Sequence, residues 1–302
     1  MPLEIFRRDA VREALAGLID YAGLFPPASL GMIDAVAEYR SARTGPQAWM
    51  VQRFICPADR LLELAGVLAA TMTAGEEPWS LVVTARQGDL GLIADFEAEM
   101  LGGADVAAVE TLLPDAPEVA AVVRIVETLH SVVFFEVPWQ RPIEPALDVL
   151  VAARTTAGRA LGAKVRCGGI VAEAFPTTEV LAGFLVACRD RDVPVKATAG
   201  LHHPFRHVDP VTGFTHHGLV NLLAASALAH MGAAAAQLAE VLADTDPSAF
   251  TLTVRGLTWR GHRIGAADLA AMRRDLFVGY GSCSFDEPVA DLAALGILPV
   301  VV

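Results

Sequence analysis

Short runs of β-forming residues alternate with longer helical segments along this 302-residue chain, and this alternation constrains the fold more than any other feature. Several of the runs end at a proline or a glycine, and an apolar pattern of helical period follows. Eight strand–helix units in about 300 residues predict an α/β fold, a (β/α)8 TIM-type barrel. The predicted strands are Ile19–Phe25, Trp49–Cys56, Trp79–Ala85, Val106–Leu113, Ser131–Val137, Leu161–Cys167, a run that begins at Val193, and Leu276–Ser284.

The competing interpretation is an open doubly wound sheet, which would place a glycine-rich turn after its first strand. That turn reads LFPPAS here, so the barrel is preferred. Two regions exceed the repeat: an extra N-terminal helix, roughly Arg8 to Leu18, and an insertion at residues 218–275 between strands seven and eight. We expect the insertion to hold helices over 219–231, 235–243 and 266–274 and a two-stranded hairpin over 250–264, packed on a single barrel domain, 1–302.

Composition narrows the classes of function. A formal net charge of −12 argues against nucleic acid as a partner. No apolar run reaches the roughly 18 residues of a membrane span, and the N-terminus lacks the order of a signal peptide, so we expect a cytoplasmic protein with no membrane partner. The four cysteines are far apart and suggest neither a disulfide framework nor a zinc finger. A homo-oligomer is compatible with the sequence.

A lysine stands inside the apolar seventh strand. Lys196 alternates with Val195 and Ala197, and burying its charge is costly unless the charge is paired or the pKa is lowered. In a barrel, chemistry lies at the C-terminal ends of the strands. The polar residues that we assign to those ends are Asp20, Tyr21, Arg53, Glu110, Glu136, Lys164, Arg166, Lys196, His202, His203 and Ser282 to Ser284.

Lys164 and Arg166 are two residues apart and therefore share one face of strand six, which we assign to the lumen. Lys196 faces inward on strand seven by the same argument. Two neighbouring lysines disfavour each other's protonation, and a neutral lysine can form an imine with a carbonyl substrate. The alternative is an internal ion network in which Lys164 and Lys196 pair with Glu136 and Glu110.

Two acids and a group of histidines supply further candidates. Glu110 and Glu136 lie in apolar strands and could act as a general base, a lysine partner or a metal ligand. His202 and His203 are assigned to proton transfer or anion binding. No cofactor is expected; if one divalent metal ion is present, its predicted ligands are His203, His207, Glu110 and Glu136.

Basic residues cluster at 164–166 and 196–207 of an otherwise acidic chain, which predicts a small anionic substrate. The predicted substrate-binding residues are Arg166, Arg53, Tyr21, Gly281 and Ser282. The last two belong to GYGSCS, where small residues at the end of strand eight could present backbone N–H groups to a phosphate or carboxylate.

Three segments, AKVRCGG, VKATAGLHH and GYGSCS, make the chain resemble the class I aldolases of the deoxyribose-phosphate aldolase type. The resemblance covers about a tenth of the chain. It implies that Lys164 forms the imine, that Lys196 lowers the pKa of Lys164, and that Gly281 and Ser282 belong to an anion site. The His202-His203-Pro204 loop, Arg166 and residues 218–275 have no counterpart in that pattern.

The first hypothesis is therefore a lyase of the class I aldolase kind that acts on a small anionic carbonyl or carboxylate metabolite through a Schiff base on Lys164. Glu136 or Glu110 would act as the base. The second hypothesis is a metal-dependent hydrolase, isomerase or lyase that uses the loop over 202–207 with Glu110 and Glu136. The third is a non-catalytic barrel that binds an anionic metabolite.

Overall fold

Eight parallel strands close into a barrel in the computed structural model, which describes residues 9–100 and 102–299. The strands are β1 (Ile19–Tyr21), β2 (Val51–Pro57), β3 (Trp79–Thr84), β4 (Ala104–Leu112), β5 (Val132–Glu136), β6 (Leu161–Arg166), β7 (Val195–Thr198) and β8 (Phe277–Ser282). Their order around the barrel is β1-β8-β7-β6-β5-β4-β3-β2, and β2 pairs with β1 to close it. The predicted (β/α)8 TIM-type barrel is confirmed.

Helices follow the strands along the chain. They are α1 (Ala10–Leu15), α2 (Met32–Thr44), α3 (Leu61–Thr71), α4 (Leu90–Glu99), α5 (Val119–Thr128), α6 (Ile143–Ala157), α7 (Thr178–Arg189), α8 (Leu219–His230), α9 (Ala235–Ala243), α10 (Ala266–Asp275) and α11 (Asp286–Ala294). Short 3-10 segments occur at Ala48–Met50, Ala58–Arg60, Gln87–Asp89, Ala172–Ala174 and Pro247–Ala249. No helix of the described residues combines the length and the apolar character that crossing a membrane requires.

Successive side chains of each strand point alternately into the lumen and toward the helices, and this produces two apolar layers. The larger layer lies between the strands and the helices; in it the rings of Tyr39 on α2 and Trp79 on β3 are 4.8 Å apart, centroid to centroid. A smaller cluster fills part of the lumen and contains Ile55, Ala108 and Phe134. Phe134 fits there because β6 carries a glycine, Gly162, beside its ring.

The N-terminal part differs from the prediction in two places. Helix α1 covers Ala10–Leu15 rather than the span from Arg8 to Leu18, and Arg8 lies outside the described residues. Asp9 caps α1, because its carboxylate accepts from the N–H groups of Val11 and Arg12. The first strand, predicted over Ile19–Phe25, ends at Tyr21, and α2 begins only at Met32.

The segment between β7 and β8 contains more strands than predicted. A two-stranded hairpin of His207–Val208 and Thr215–His216 follows β7. Beyond α8 and α9, the expected hairpin is a three-stranded antiparallel sheet of Phe250–Thr253, Gly256–Trp259 and His262–Ile264. The run after Gly256 therefore breaks into two strands. It turns at Arg260 and Gly261, which both have positive φ.

Candidate active site in the barrel lumen

Two lysines stand side by side in the lumen. Lys164 on β6 is the register partner of Lys196 on β7. Both are buried, with 6% of Lys164 and 1% of Lys196 exposed. They are also the only lysines in the sequence; all the other cationic side chains among its 23 lysines and arginines are arginine. The barrel therefore brings every lysine of the chain to one place.

One carboxylate binds both ammonium groups. Glu110 on β4 accepts from Lys196 Nζ at Oε1, 2.7 Å away, and from Lys164 Nζ at Oε2, 2.8 Å away. Glu110 reaches both because it faces inward from an otherwise apolar stretch of strand, in which Val109 is fully buried on the opposite face. The two lysines are thus linked through a shared anion.

Further charges extend this arrangement in both directions. Lys164 Nζ lies 3.0 Å from Glu136 Oε2 on β5, and Arg166 Nε donates to Glu136 Oε1 at 3.0 Å. On the other side, Lys196 Nζ donates to Asp20 Oδ2 on β1, and Arg53 Nη1 lies 3.8 Å from the same oxygen. These side chains alternate in charge, and we call the series the lumen charge chain. Its members, in order, are Arg166, Glu136, Lys164, Glu110, Lys196, Asp20 and Arg53.

The lumen charge chain runs from one mouth of the barrel toward the other. Arg166 ends β6 at the C-terminal mouth, and 47% of its side chain is exposed. The members next to it become progressively less exposed until Lys196 and Asp20, which are enclosed. Arg53, the third residue of β2, lies in the N-terminal half of its strand and is 23% exposed. Arg166 and Glu136 are therefore the members that a ligand entering the C-terminal mouth meets first.

The neighbouring charges fix the ionisation of the buried groups. Burial raises the pKa of Glu110, but the ammonium groups of Lys164 and Lys196 outweigh burial and lower that pKa to about 2. Glu136 also has a lowered pKa, since Lys164 and Arg166 outweigh the opposing effect of its burial. Both carboxyl groups are therefore carboxylates at neutral pH.

Lys196 is held in its charged form. Burial lowers the pKa of an enclosed lysine, but Asp20 and Glu110 together raise the pKa of Lys196 above its ordinary value. A lowered pKa, which the sequence predicted for one of the two lysines, therefore does not apply to Lys196. The contacts form the internal ion network that the sequence left open as an alternative.

The loop histidines pair with helix α11 rather than with the lumen charge chain. His202 Nδ1 lies 2.9 Å from Glu287 Oε2, and His203 Nδ1 lies 2.7 Å from Asp291 Oδ2. The loop reaches α11 because the chain turns sharply after β7 at Gly200. There a side chain would approach the carbonyl oxygen of Cys167 to 2.9 Å, and φ is +69°.

Cys283 lies beside His202 at the end of β8. Its Sγ is 3.8 Å from Nε2 and 4.0 Å from Nδ1 of that ring. Being almost equidistant from both nitrogens, the sulfur lies along the lone-pair direction of neither. Burial raises the pKa of the Cys283 thiol.

The residues proposed as metal ligands are engaged in other contacts. Glu110 and Glu136 bind lysine, and the Nδ1 atom of His207 lies 3.0 Å from the carbonyl oxygen of Phe205. The rings of His203 and His207 are neighbours, 4.7 Å apart between centroids. Across 9–100 and 102–299, no three side chains of histidine, cysteine, aspartate or glutamate form a group that could hold a metal ion.

Of the predicted substrate-binding residues, Tyr21 and Arg53 do not face the C-terminal mouth, whereas Ser282 lies at the end of β8 as predicted. Tyr21 faces the helix layer, where its hydroxyl donates to Glu38 of α2 at 2.6 Å. The Oγ atom of Ser282 donates to the carbonyl oxygen of Ser284 at 2.6 Å. Arg53 belongs to the N-terminal half of the barrel and not to the C-terminal mouth.

Another of the predicted substrate-binding residues, Gly281, lies within the barrel wall. Gly281 is part of β8, and a side chain there would meet Ile55 and Thr198 in the lumen. Gly281 and Ser282 therefore lie at the end of the eighth strand, as predicted.

Asp20 is the functional candidate that sequence reasoning placed at a strand end without a role. It is 1% exposed, binds Lys196, and its Oδ1 atom has no hydrogen-bond partner among the described residues. The signal was available, because Asp20 interrupts an apolar strand just as Glu110 does. The presence of only two lysines in the sequence was a second indication of where the site lies.

These features define an eight-stranded parallel barrel of a kind that is commonly enzymatic, with paired lysines and carboxylates enclosed in its lumen. The chain matches no protein-family model, and no characterised protein shows significant similarity to it.

Proposed function

We propose that this protein is a lyase of the class I aldolase kind, which binds a small anionic carbonyl compound at the C-terminal mouth and forms an imine with Lys164. The observation that carries the proposal is that the only two lysines of the chain stand in register inside the lumen. The resemblance to the deoxyribose-phosphate aldolase type rests on the segments that carry the same two residues.

The choice of lysine over arginine supports amine chemistry. Where this chain forms structural ion pairs with partly buried acids it uses arginine, as in the pairs Arg40–Glu76 and Arg260–Asp244. A guanidinium group stays protonated and cannot attack a carbonyl carbon, whereas an amine can. Ion pairing alone would not require lysine at the two lumen positions, whereas attack on a carbonyl carbon requires an amine.

Of the two lysines, Lys164 is the better nucleophile. It contacts Glu136, and that one carboxylate separates it from Arg166, which is exposed at the C-terminal mouth. Lys196 is enclosed, and its raised pKa keeps it cationic. In the proposal Lys196 is a positioning residue that holds Glu110 and keeps a positive charge near the reacting amine.

Imine formation at Lys164 can be balanced with groups at the site. Lys164 gives a proton to Glu136, and its neutral Nζ attacks the carbonyl carbon. The resulting carbinolamine takes the proton back on its hydroxyl group, which leaves as water, so that an ammonium and a carbonyl become an iminium and water. Arg166, which already binds a carboxylate in Glu136, would bind the anionic group of the substrate.

The experiment is reductive trapping. The protein is incubated with sodium cyanoborohydride and either a 2-oxo acid such as pyruvate or a phosphorylated aldehyde such as glyceraldehyde 3-phosphate, and the adduct is located by peptide mass mapping. With two lysines in the chain, an adduct can be assigned among Lys164, Lys196 and the α-amine without ambiguity.

Lys164→Arg keeps the cation but removes the amine, and Lys196→Arg is its matched control. We expect an adduct at Lys164 in the wild type and in Lys196→Arg, and none at that position in Lys164→Arg. An adduct confined to the α-amine, or Lys196 as the sole lysine modified, would refute the proposed nucleophile.

A further inference from the structure

A cavity lies at the N-terminal mouth of the barrel. It has a volume of about 520 Å³, and residues at or before the starts of strands line it, together with α1 and α10. Ala108, Phe134 and Val278 form its apolar floor at the bottom of the lumen. Four arginines line it as well: Arg12, Arg53, Arg273 and Arg274.

The charge of Arg273 is partly buried and has no carboxylate partner in the described part of the chain. Its terminal nitrogens donate to backbone carbonyl oxygens, at 2.5 Å to Phe277 and at 3.3 Å to Gly17. Its Nε atom is buried and has no hydrogen-bond partner within residues 9–100 and 102–299. A buried guanidinium group normally has a counter-ion, because an uncompensated charge is costly away from water.

Two more of the arginines are only weakly neutralised. Arg53 reaches one carboxylate, Asp20, at 3.8 Å, and Lys196 already binds that carboxylate more closely. Arg12 stacks over the ring of Trp49 at 4.6 Å. Among the residues that the structure describes, Arg274 alone of the four has a full partner, since it donates to both oxygens of Asp275. Glu13 is the one acidic residue that lines the cavity among the described residues, so the lining is predominantly cationic.

We propose that this N-terminal cavity binds an amphipathic organic anion, a carboxylate or phosphate on a short apolar body. The anionic head would accept hydrogen bonds from Arg53 and from the free Nε–H of Arg273, and the apolar body would pack on Phe134 and Val278. The volume falls within the roughly 300–1,000 Å³ of ordinary ligand pockets, which likewise combine apolar walls with a few polar groups. The proposal does not depend on imine chemistry at the other mouth.

Calorimetric titration of the purified full chain tests this site. Benzoate and phenyl phosphate are the anionic probes, and benzyl alcohol is a neutral control of similar shape. We expect at least one anion to bind, benzyl alcohol not to bind detectably, and Arg53→Gln and Arg273→Gln to weaken the anion at least tenfold. Arg124→Gln, which removes an exposed arginine of α5, is the matched control and should bind as the wild type does.

Circular dichroism shows whether each variant is folded, and Arg53→Gln keeps the test valid if Arg273→Gln does not fold. Binding of either anion that depends on Arg53 supports the proposal, and the two probes show which head group is preferred. No anion binding by the wild type would overturn it. So would equal binding of benzyl alcohol, or binding that Arg166→Gln abolishes and Arg53→Gln leaves intact, because that ligand would occupy the C-terminal mouth.

Discussion

Lys164 and Lys196 stand directly opposite each other in the pairing of β6 with β7, and the carboxylate of Glu110 binds both. Two ammonium groups on directly paired residues repel each other unless an anion lies between them. Glu110 therefore determines whether both lysines can be charged at once. Lys164 can lose its proton while Glu110 still pairs with Lys196, which is the state that the proposed mechanism needs.

Removing the shared carboxylate should be strongly destabilising. Glu110→Gln leaves two buried ammonium groups short of a partner, and breaking a buried ion pair in this way costs about 3–5 kcal/mol. Glu136→Gln is the matched comparison, and we expect it to cost about 1 kcal/mol because Glu136 is 19% exposed and solvent screens its pairs. The measurement is the free energy of unfolding in urea; similar losses in the two variants would contradict the central position of Glu110.

Arg166 should govern substrate binding more than the chemical step. In Arg166→Gln the anionic group of the carbonyl compound loses its guanidinium partner at the mouth, while Lys164 keeps both of its carboxylates. We expect the concentration for half-maximal reductive trapping to rise about tenfold, which corresponds to about 1.4 kcal/mol, with little change in the maximal rate. A lower maximal rate at unchanged half-saturation would instead assign Arg166 to the reaction itself.

His217 should make the fold less stable in mild acid. Its ring is fully buried; Arg206 Nη1 donates to Nδ1 at 3.1 Å, and Nε2 donates to the carbonyl oxygen of Pro176 at 2.8 Å. Burial lowers the pKa of His217 to about 4. The nearby guanidinium of Arg206 is a second, smaller cause, because it disfavours a second proton on the ring.

The pH dependence of the stability follows from the difference between the pKa of His217 in the folded protein and in the unfolded chain. The unfolded chain protonates His217 near pH 6.5 and the folded protein only near pH 4, so stability is full above pH 6.5 and falls as the pH drops toward 4. The loss should approach about 3 kcal/mol. Urea unfolding at pH 7, 6, 5 and 4 measures it, and His217→Gln should flatten the profile over this window. A profile as steep in that variant as in the wild type would assign the pH dependence to other groups.

Cys283 should not take part in the reaction. Its thiol has a raised pKa and is misaligned with both nitrogens of His202. We therefore expect Cys283→Ser to give the same trapped adduct at Lys164 at a rate within about twofold of the wild type, and iodoacetamide to label Cys283 slowly at pH 7. Loss of trapping in Cys283→Ser would point to a thiol-dependent mechanism.

The sequence predicted the barrel well because its signals are local. Apolar strands such as Leu161–Arg166 are marked by composition and by the glycines or prolines that follow them. The boundaries failed at Arg260 and Gly261, where the prediction did not use the glycine as a turn and one predicted strand is two. Period-two alternation also predicted that Lys164 and Lys196 face the lumen, as their contacts show.

Pairing across the lumen could not be predicted in the same way. Which acid binds which lysine depends on the stagger of the strands, so Asp20, 176 positions before Lys196 in the chain, became a partner only in three dimensions. Arg53 was assigned to a C-terminal strand end, but as the third residue of β2 it lies toward the N-terminal mouth. Tyr21, next to Asp20, faces the helices because neighbouring residues on a strand point to opposite sides.

Because both lysines lie in the lumen, cleavage of the chain after lysine can be used to detect opening of the barrel. A protease that cleaves only after lysine would find two sites in the sequence, and both lie within barrel strands β6 and β7. The closed barrel should resist such a protease, while an opened one would be cut after Lys164 and Lys196. The rate of cleavage would then measure how often β6 and β7 separate from their neighbours, without any label or engineered site.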